Sequence, residues 1–570
     1  MTFLYYTLYI IYNTIIKIQD FSDKNIKVTG MKTIVADGIW DFGFSEEVKL
    51  NGTLPDIKFE TALSVPGCFD VAQPFFGKRG TGCYRRTVRT GGNIRLFIDG
   101  LGVEGEVYWD GVLIGTCPYA YMPEKFNFNA GEYKDHELVI AVSNCFNKVF
   151  FPYFDFYAYG GIFGSVKIEE LPAYRIDLTK VTTLDYTTGR ISVDVEVNKF
   201  FRKAKEITFE IDGKTVLTTD FGGKKNVYEI SVPDFKLWSP EKPDLHKMRI
   251  ILGVYEEEFN FGIRTFEARG TQLYLNGKEL RLMGYNRHDS HPEFGAAVPP
   301  ALMAADLAMV KAQGSNFIRG SHYPQRESFL DLCDKMGILL WEETLGWDVR
   351  DKELFTKEFR FRQIDQAKKL SSIHYNHACI IIWGFMNETL SEDKRAKKII
   401  KAVIDTYKSV DKTRFVTFAS NRYEKDICMD IVDIVAMNPY PGWGGVNWDE
   451  LSGIHHIAPR LAEIDAAVPK DKPYMISEIG ASAIYGHRDP HRVRWSEEYQ
   501  AELSTEVCKV VLGNKRYCGL CFWHFCDAKS YLNGGRIKGI NDKGILDEYR
   551  RPKFAWDAIT QALKDLEFNK

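Results

Sequence analysis

The sequence predicts a multidomain fold, two β-sandwiches followed by a (β/α)8 barrel, and three observations carry that prediction. At 570 residues the chain is too long for one domain, since roughly 100–200 residues per domain leaves room for about three to five. Its first half consists of short alternating apolar and polar runs punctuated by Gly and Asp-Gly, the chemistry of strands and tight turns. Its second half alternates short apolar runs with helical periods, the pattern of strand and helix in a barrel.

From Ile34 to about Leu171 the runs TGCYRRTV, NIRLFIDGLG, EGEVYWDGVLIG and HELVIAVSN predict an all-β sandwich. From Arg175 to about Arg269, RISVDVEVNKF, ITFEIDGKTVLTTD, MRIILGVYEEEF and FNFGIRTFE repeat the texture within about 100 residues, the spacing of an immunoglobulin-type sandwich. After about Gly270 the pattern changes. PPALMAADLAMVKAQG, KEFRFRQIDQAKKLSSIHYN and EDKRAKKIIKAVIDTYKSV read as helices. Between the helical periods lie NFIRGSH, GILLWEE, CIIIWGFMNE, IVAMNPY, PYMISEIG and GLCFWHFCD, which read as buried parallel strands. Three domains are expected: 31–171, 172–268 and 269–570.

Composition narrows the function classes. With 45% hydrophobic and 26% charged residues the balance is that of an ordinary globular protein. Lys plus Arg number 74 against 77 for Asp plus Glu, so the basic excess that releases counterions from a phosphate backbone is missing, and nucleic acid is excluded as a partner. Aromatics make up 14%; they build β cores and also stack on flat apolar ligand faces such as sugar rings. Of eleven Cys, only Cys518 and Cys521 form a CxxC. That pair sits inside the apolar run Tyr517–Phe525 with no second pair or His pair to complete a metal site. The cysteines are read as reduced core thiols of a cytoplasmic protein, with no metal and no cofactor. Met1–Ile16 is apolar and uncharged but lacks a basic n-region and an A-x-A site, and it is too short and polar for a membrane span. Residues 1–30 are therefore expected to be an N-terminal extension outside the fold, with Met31 opening the first domain; a degenerate signal or anchor is the alternative.

Reactive groups in such barrels gather at the carboxyl ends of the strands. Two carboxylates stand there: Glu388 ends IIIWGFMNE and Glu478 ends PYMISE. Burial and neighbours can tune such groups apart. Glycoside cleavage needs two, one to protonate the leaving oxygen and one to attack the anomeric carbon, about 5–5.5 Å apart when configuration is retained. Other strand ends present His322 and Tyr323, Glu342 and Glu343, Asn438 and Tyr440, and Trp523, His524 and Asp527. Any one of these could be a packing residue; five strand ends together form a ring suited to a sugar.

At this point the motifs become specific. NFIRGSHYPQRESFLDLCDKMGILLW (Asn316–Trp341) and NHACIIIWGFMNE (Asn376–Glu388) resemble the two signatures of glycoside hydrolase family 2, the group of β-galactosidases, β-mannosidases and β-glucuronidases. Gly320 departs from the first, where a small Ser, Thr, Ala, Cys or Asn is usual. GYNRHDSHPEFG, VPGCFD, GCYRR, YWDGVLIG and FGIRTFE also occur in the family's order. The resemblance runs from about Met31 to the C-terminus. It implies a jelly-roll sugar-binding-type domain, an immunoglobulin-like domain and a catalytic barrel. It further implies that Glu388 is the general acid/base, that Asn387 contacts the sugar 2-hydroxyl, and that Glu478 is the nucleophile, with no metal required.

SEIGASAIYGHRDPHRVRWSEEYQ resembles the β-glucuronidase form of the nucleophile segment, with Ile479 where Tyr is usual. RIKGINDKGILDEYRRPK resembles the uronidase stretch whose N-x-K motif grips a C6 carboxylate. Asn541 and Lys543 fill the motif, and Arg536 matches with its spacing shifted by one. The physical chemistry agrees: a carboxylate taken out of water needs a cation and donors, and a neutral hexose would leave the lysine unpaired. FPYFDFYAYGGIFGSV resembles the non-barrel loop that reaches the uronidase site, with Asp155 where an acid contacts the distal hydroxyls. NPYPGWGG lacks the fuller tyrosine set that usually follows the N-x-Y and carries Pro439, Pro441 and Gly444 near the expected C4 hydroxyl, so galacturonide stands beside glucuronide as substrate. The short connection from Trp341 to Glu388 suggests an open entrance for bulky leaving groups.

These observations lead to a retaining exo-β-uronidase acting on a β-uronide, glycoconjugate or oligosaccharide, and assembling as a homo-oligomer. A neutral β-glycosidase of the same family, such as a β-galactosidase, is the first rival. A non-catalytic carbohydrate-binding protein is the second; it would have lost a carboxylate or its partner Asn, whereas Asn387, Glu388 and Glu478 are all present.

Overall fold

The computed structural model describes residues 32–148, 150–152, 154–444, 453–530 and 536–568. The expected N-terminal extension lies outside them. The first sandwich packs a four-stranded sheet against a six-stranded one, all antiparallel. Trp40, Phe42, Tyr84, Leu96, Val107 and Ile140 fill the space between. The second sandwich shows the period of two directly. In Arg190–Ile211, Ile191, Val193, Val195 and Val197 are fully buried while Ser192, Asp194 and Glu196 alternate outward.

The barrel strands are β1 (Leu282–Arg287), β2 (Phe317–Gly320), β3 (Leu339–Glu343), β4 (Ile380–Gly384), β5 (Phe415–Thr417 with Ala419–Ser420), β6 (Val435–Met437), β7 (Tyr474–Ile476) and β8 (Tyr517–Phe522). All pair in parallel in sequence order, and β8 closes on β1. Strand β5 is interrupted at Phe418; its first segment pairs with β4 and its second with β6, so the ring closes through the interruption. Six of the strands are followed by helices of two or more turns, at Pro300–Gln313, Glu327–Met336, Lys357–Ile373, Lys394–Val410, Ile457–Ala467 and Glu497–Val507. Strand β5 is followed only by the single turn Tyr423–Lys425, and β8 by Phe554–Asp565 after a long loop. No helix among the described residues is long and apolar enough to cross a membrane. All eleven cysteines are free, ten of them buried, and Cys518 and Cys521 lie inside β8.

The three units are fastened together by polar anchors and by one aromatic loop. Arg326 donates to the carbonyls of Phe163 (2.6 Å) and Val298 (2.8 Å). Tyr323 stacks on Tyr121 with ring centroids 3.7 Å apart. The second sandwich meets the barrel at its other end, where Val181 N donates to Asn376 Oδ1 (2.9 Å) and Arg264 Nε to Ala378 O (3.0 Å). The loop after the last long strand of the first sandwich inserts Phe150, Phe154, Phe156 and Phe163 into the same apolar cluster as the barrel interior. Their burial fixes that loop over the barrel mouth and brings Asp155 with it.

Candidate active site

The carboxyl ends of the strands converge on one buried guanidinium. Arg319, the third residue of β2, is fully buried. It donates from Nε to Glu343 (2.8 Å), from Nη1 to Glu478 Oε1 (2.7 Å) and Asn286 Oδ1 (3.0 Å), and from Nη2 to Asn387 Oδ1 (2.8 Å). Burial alone would lower its pKa, but the carboxylates of Glu343 and Glu478 more than offset it and raise it above the ordinary value. A buried charge is tolerated only when paired and hydrogen-bonded on all sides, and Arg319 is.

Glu478 follows β7. Its Oε1 takes Arg319, and its Oε2 accepts from the Tyr440 hydroxyl (2.9 Å) beyond β6. Glu388 lies four residues beyond β4, with its backbone in the left-handed region (φ 55°), as is that of Met386 (φ 47°). Such conformations cost a non-glycine residue about 1–2 kcal/mol each and persist where the surroundings hold them. Here Glu388 N donates to Ala419 O (2.8 Å) and Asn387 N to Gly346 O (2.9 Å), pinning the turn from β5 and from the segment after β3. Close packing behind the turn demands Gly384, where a Cβ would lie 1.8 Å from Trp341 Nε1. Burial first, then repulsion from Glu478, pushes the Glu388 carboxyl up to about 8, against the hydrogen bond from Asn438.

Asn438 ties Glu388 to Asn387 and to Ser477, the residue before Glu478. Its amide donates to Glu388 Oε1 (3.1 Å) and Asn387 Oδ1 (3.1 Å), while its Oδ1 accepts from Ser477 (2.7 Å). The Nδ2 of Asn387 and the Nε2 of His322 are buried without a hydrogen-bond partner among the described residues. His322 Nδ1 lies 3.1 Å from Glu343, and its ring stacks on Trp523 (5.1 Å, 15°). The departure at Gly320 has a local cause: a Cβ there would come within 2.7 Å of the Gln325 side chain.

A second cluster adjoins the first. Asp155 from the aromatic loop is bound by Arg536, through a short Nη2 contact and a 3.2 Å Nε contact, by Asn541 Nδ2 (3.1 Å) and by Ser530 Oγ (2.6 Å). Beside it Lys543 is 7% exposed. Its ammonium lies 5.8 Å from the Trp443 ring and has no hydrogen bond or ion pair among the described residues. Burial, then repulsion from Arg536, brings it down to about 7; Asp155, Asp542 and Glu478 pull the other way. The influence of Glu478 on Lys543, and of Arg536 on Tyr440, ties this cluster to the catalytic pair.

The structure thus brings together most of the residues singled out from the sequence: Glu388, Glu478, Asn387, Asn438, Tyr440, His322 and Trp523 in one group, and Asp155, Arg536, Asn541 and Lys543 in the other. It gives Arg536 a partner the sequence did not anticipate, since its guanidinium is held by Asp155. Other strand-end residues turn away. Glu342 faces His374 and the backbone of Gln325, Tyr323 joins the sandwich interface, and Asp527 anchors Lys553 and Gly544 N behind the Lys543 loop. Glu343, one of the strand-end residues expected around the site, does reach it, whereas Arg319, Asn286 and Ser477 were not expected there. A charged residue inside the apolar run NFIRG was the available signal, because an arginine in a buried strand needs buried anions to match it.

Among the described residues, Asp331, Asp334 and His377 are close enough to hold a cation. They sit at the end of β4 opposite Glu388. Both ring nitrogens of His377 face carboxylates, Asp334 at 2.7 Å and Glu327 at 3.2 Å. Burial opposes its charge, yet those carboxylates raise its pKa well above the usual histidine value. An imidazolium has no lone pair to offer a metal.

Comparison with known proteins agrees with this architecture. Residues 266–568 match the family model "Glycosyl hydrolases family 2, TIM barrel domain", and 174–264 match "Glycosyl hydrolases family 2". The chain is 31% identical to the β-glucuronidase of Rattus norvegicus over 422 residues, 70% of this chain and 63% of that protein. With the β-glucuronidase of Streptococcus agalactiae it shares 27% identity over 504 residues, 79% of this chain and 82% of that one. The chain therefore spans less than two thirds of the mammalian relative it matches. Among solved structures, the β-galacturonidase of Eisenbergiella tayi bound to galacturonate superposes with a TM-score of 0.87 at 30% identity, covering 95% of this chain and 99% of that one.

Proposed function

The chain belongs to family 2 of the glycosyl hydrolases, and on that premise we propose that it removes a terminal β-D-hexuronic acid, glucuronide or galacturonide, through a covalent glycosyl-enzyme. Glu388 acts first as the acid. With its carboxyl raised to about 8 it carries a proton at neutral pH and gives it to the glycosidic oxygen as that bond to the anomeric carbon breaks. Glu478, oriented by Arg319 and Tyr440, attacks the anomeric carbon and forms the ester while the aglycone alcohol leaves. Glu388, now a carboxylate, takes a proton from water; the hydroxide so formed displaces Glu478 and releases the uronic acid with retained configuration. The unpartnered Asn387 amide suits the 2-hydroxyl, and Trp523, stacked on His322, offers a platform for the ring.

The observation that supports uronide over neutral hexoside is Lys543. A buried ammonium with no anion among the described residues is costly, and a C6 carboxylate is the partner that offsets the cost. Asn541 orients the motif by bridging Asp155 and the Lys543 backbone. Both epimers are included because the relatives divide between β-glucuronidases and a β-galacturonidase. The deciding experiment is a panel of p-nitrophenyl β-glucuronide, β-galacturonide, β-glucoside and β-galactoside. Cleavage of the uronides is expected; a hexoside cleaved faster than both overturns the reading and favours the neutral glycosidase. The same reading includes a homo-oligomer, tested by light scattering, and a cytoplasmic location, supported by the buried free thiols.

A further inference from the structure

A cavity of about 690 Å³ opens between the first sandwich and the loop after β8. Five aromatic rings line it: Phe76, Phe146, Tyr157, Tyr159 and Tyr549. Two of these rings are conspicuously bare, Phe76 at 56% and Tyr549 at 50% exposed. Lys529 reaches in with its ammonium 3.9 Å from the Tyr157 ring centroid and 4.7 Å from that of Phe76. It has no ion pair among the described residues. Burial lowers its pKa, with Asp70 opposing.

We propose that this cavity is a second ligand site, for a planar aromatic carboxylate whose ring stacks among Phe76, Tyr157 and Tyr549 while its anion pairs with Lys529. Volume, wall chemistry and charge all favour this class. The space suits a ligand of two fused rings. Ser290 and Ser530 supply hydroxyls, and Arg79, Lys538 and Glu548 complete the charged lining, with Arg79 stacked on Phe146 and Tyr157; the accessible wall is mostly apolar, which suits the flat face of an arene better than a polyol. An ammonium already desolvated against aromatic faces gains most from an anion that brings its own apolar surface. The cavity is distinct from the catalytic pocket but shares a wall with it, since Ser530 lines the cavity and donates to Asp155 (2.6 Å). The proposal does not depend on which glycoside the enzyme cleaves.

The test titrates 1-naphthoate into the full-length protein by saturation-transfer NMR and equilibrium dialysis, with 1-naphthalenemethanol as the uncharged control. One saturable site is expected, preferring the acid and not displaced by excess glucuronate or galacturonate. Lys529→Met should weaken binding by about 10–100-fold, the loss of a charge-assisted contact, and leave p-nitrophenyl glycoside hydrolysis unchanged. Tyr549→Ala, at the exposed rim, should weaken it without disturbing the fold and so keeps the test open if the lysine variant is unstable. Equal affinity for acid and alcohol, displacement by the uronic acids, or unaltered binding in both variants overturns the proposal.

Discussion

The two halves of the active site are built on opposite terms. Around Arg319, four strand ends and the turn after β4 meet in a closed network in which the guanidinium is paired on every side. Around Lys543, the parts come from a sandwich loop and from the loop after β8, and the cation has no ion pair among the described residues. A guanidinium saturated without substrate holds its carboxylates preorganised for chemistry, as electrostatic catalysis requires. A network missing one charge is organised for recognition, because the ligand itself completes it. On the proposed reading, the barrel holds the reaction and the loops hold the choice of sugar.

Mutations should separate the two halves. Glu478→Gln removes the nucleophile and should lower kcat by about 10⁴-fold or more on every substrate; near-full activity would break the assignment. Glu388→Gln should cost about 10²–10⁴-fold, and less for leaving groups that depart without a proton. Lys543→Ala should cost about 10²–10³-fold in kcat/KM on uronides, or roughly 3–4 kcal/mol, while leaving hexosides unaffected. An equal loss on both substrate types would show that the lysine supports the fold rather than recognising a carboxylate. Asp155→Asn releases Arg536 and should change uronide kcat/KM by about tenfold, with kcat on neutral glycosides unchanged.

The smallest predicted effect is one of pH. Glu388 must be protonated to act as the acid, so activity falls as pH rises through about 8. Lys543 must be protonated to hold a carboxylate, so uronide recognition in the free enzyme falls earlier, as pH rises through about 7. The alkaline limb of kcat/KM should therefore lie about one unit lower for a uronide than for any neutral glycoside. Coincident limbs would mean that Lys543 does not titrate independently of the catalytic acid.

The catalytic half was legible in the sequence because strand ends are local features. An apolar run ending in a carboxylate marks both the strand and the position of its last side chain, and Glu388 and Glu478 could be found that way. Arg319 was harder to see for the same reason that it matters. It lies within a strand rather than at its end, and its function exists only when Glu343, Glu478, Asn286 and Asn387 arrive from four other elements. Glu342 and Glu343 make the point within two residues: adjacent in sequence, they face opposite sides of β3, and only Glu343 reaches the site.

By itself the sequence determined the succession of sandwiches and barrel, because periods of two and of 3.6 are properties of neighbouring residues. It also determined which strand ends carry carboxylates, and that an Asn-x-Lys follows β8. Only the tertiary structure decided that Asp155, more than 380 residues away from Asn541, binds it and Arg536. Only the tertiary structure left Lys543 buried with no ion pair among the described residues. Charge pairing across that separation depends on how the aromatic loop is buried against the barrel, and burial of that kind is settled by packing rather than by local pattern.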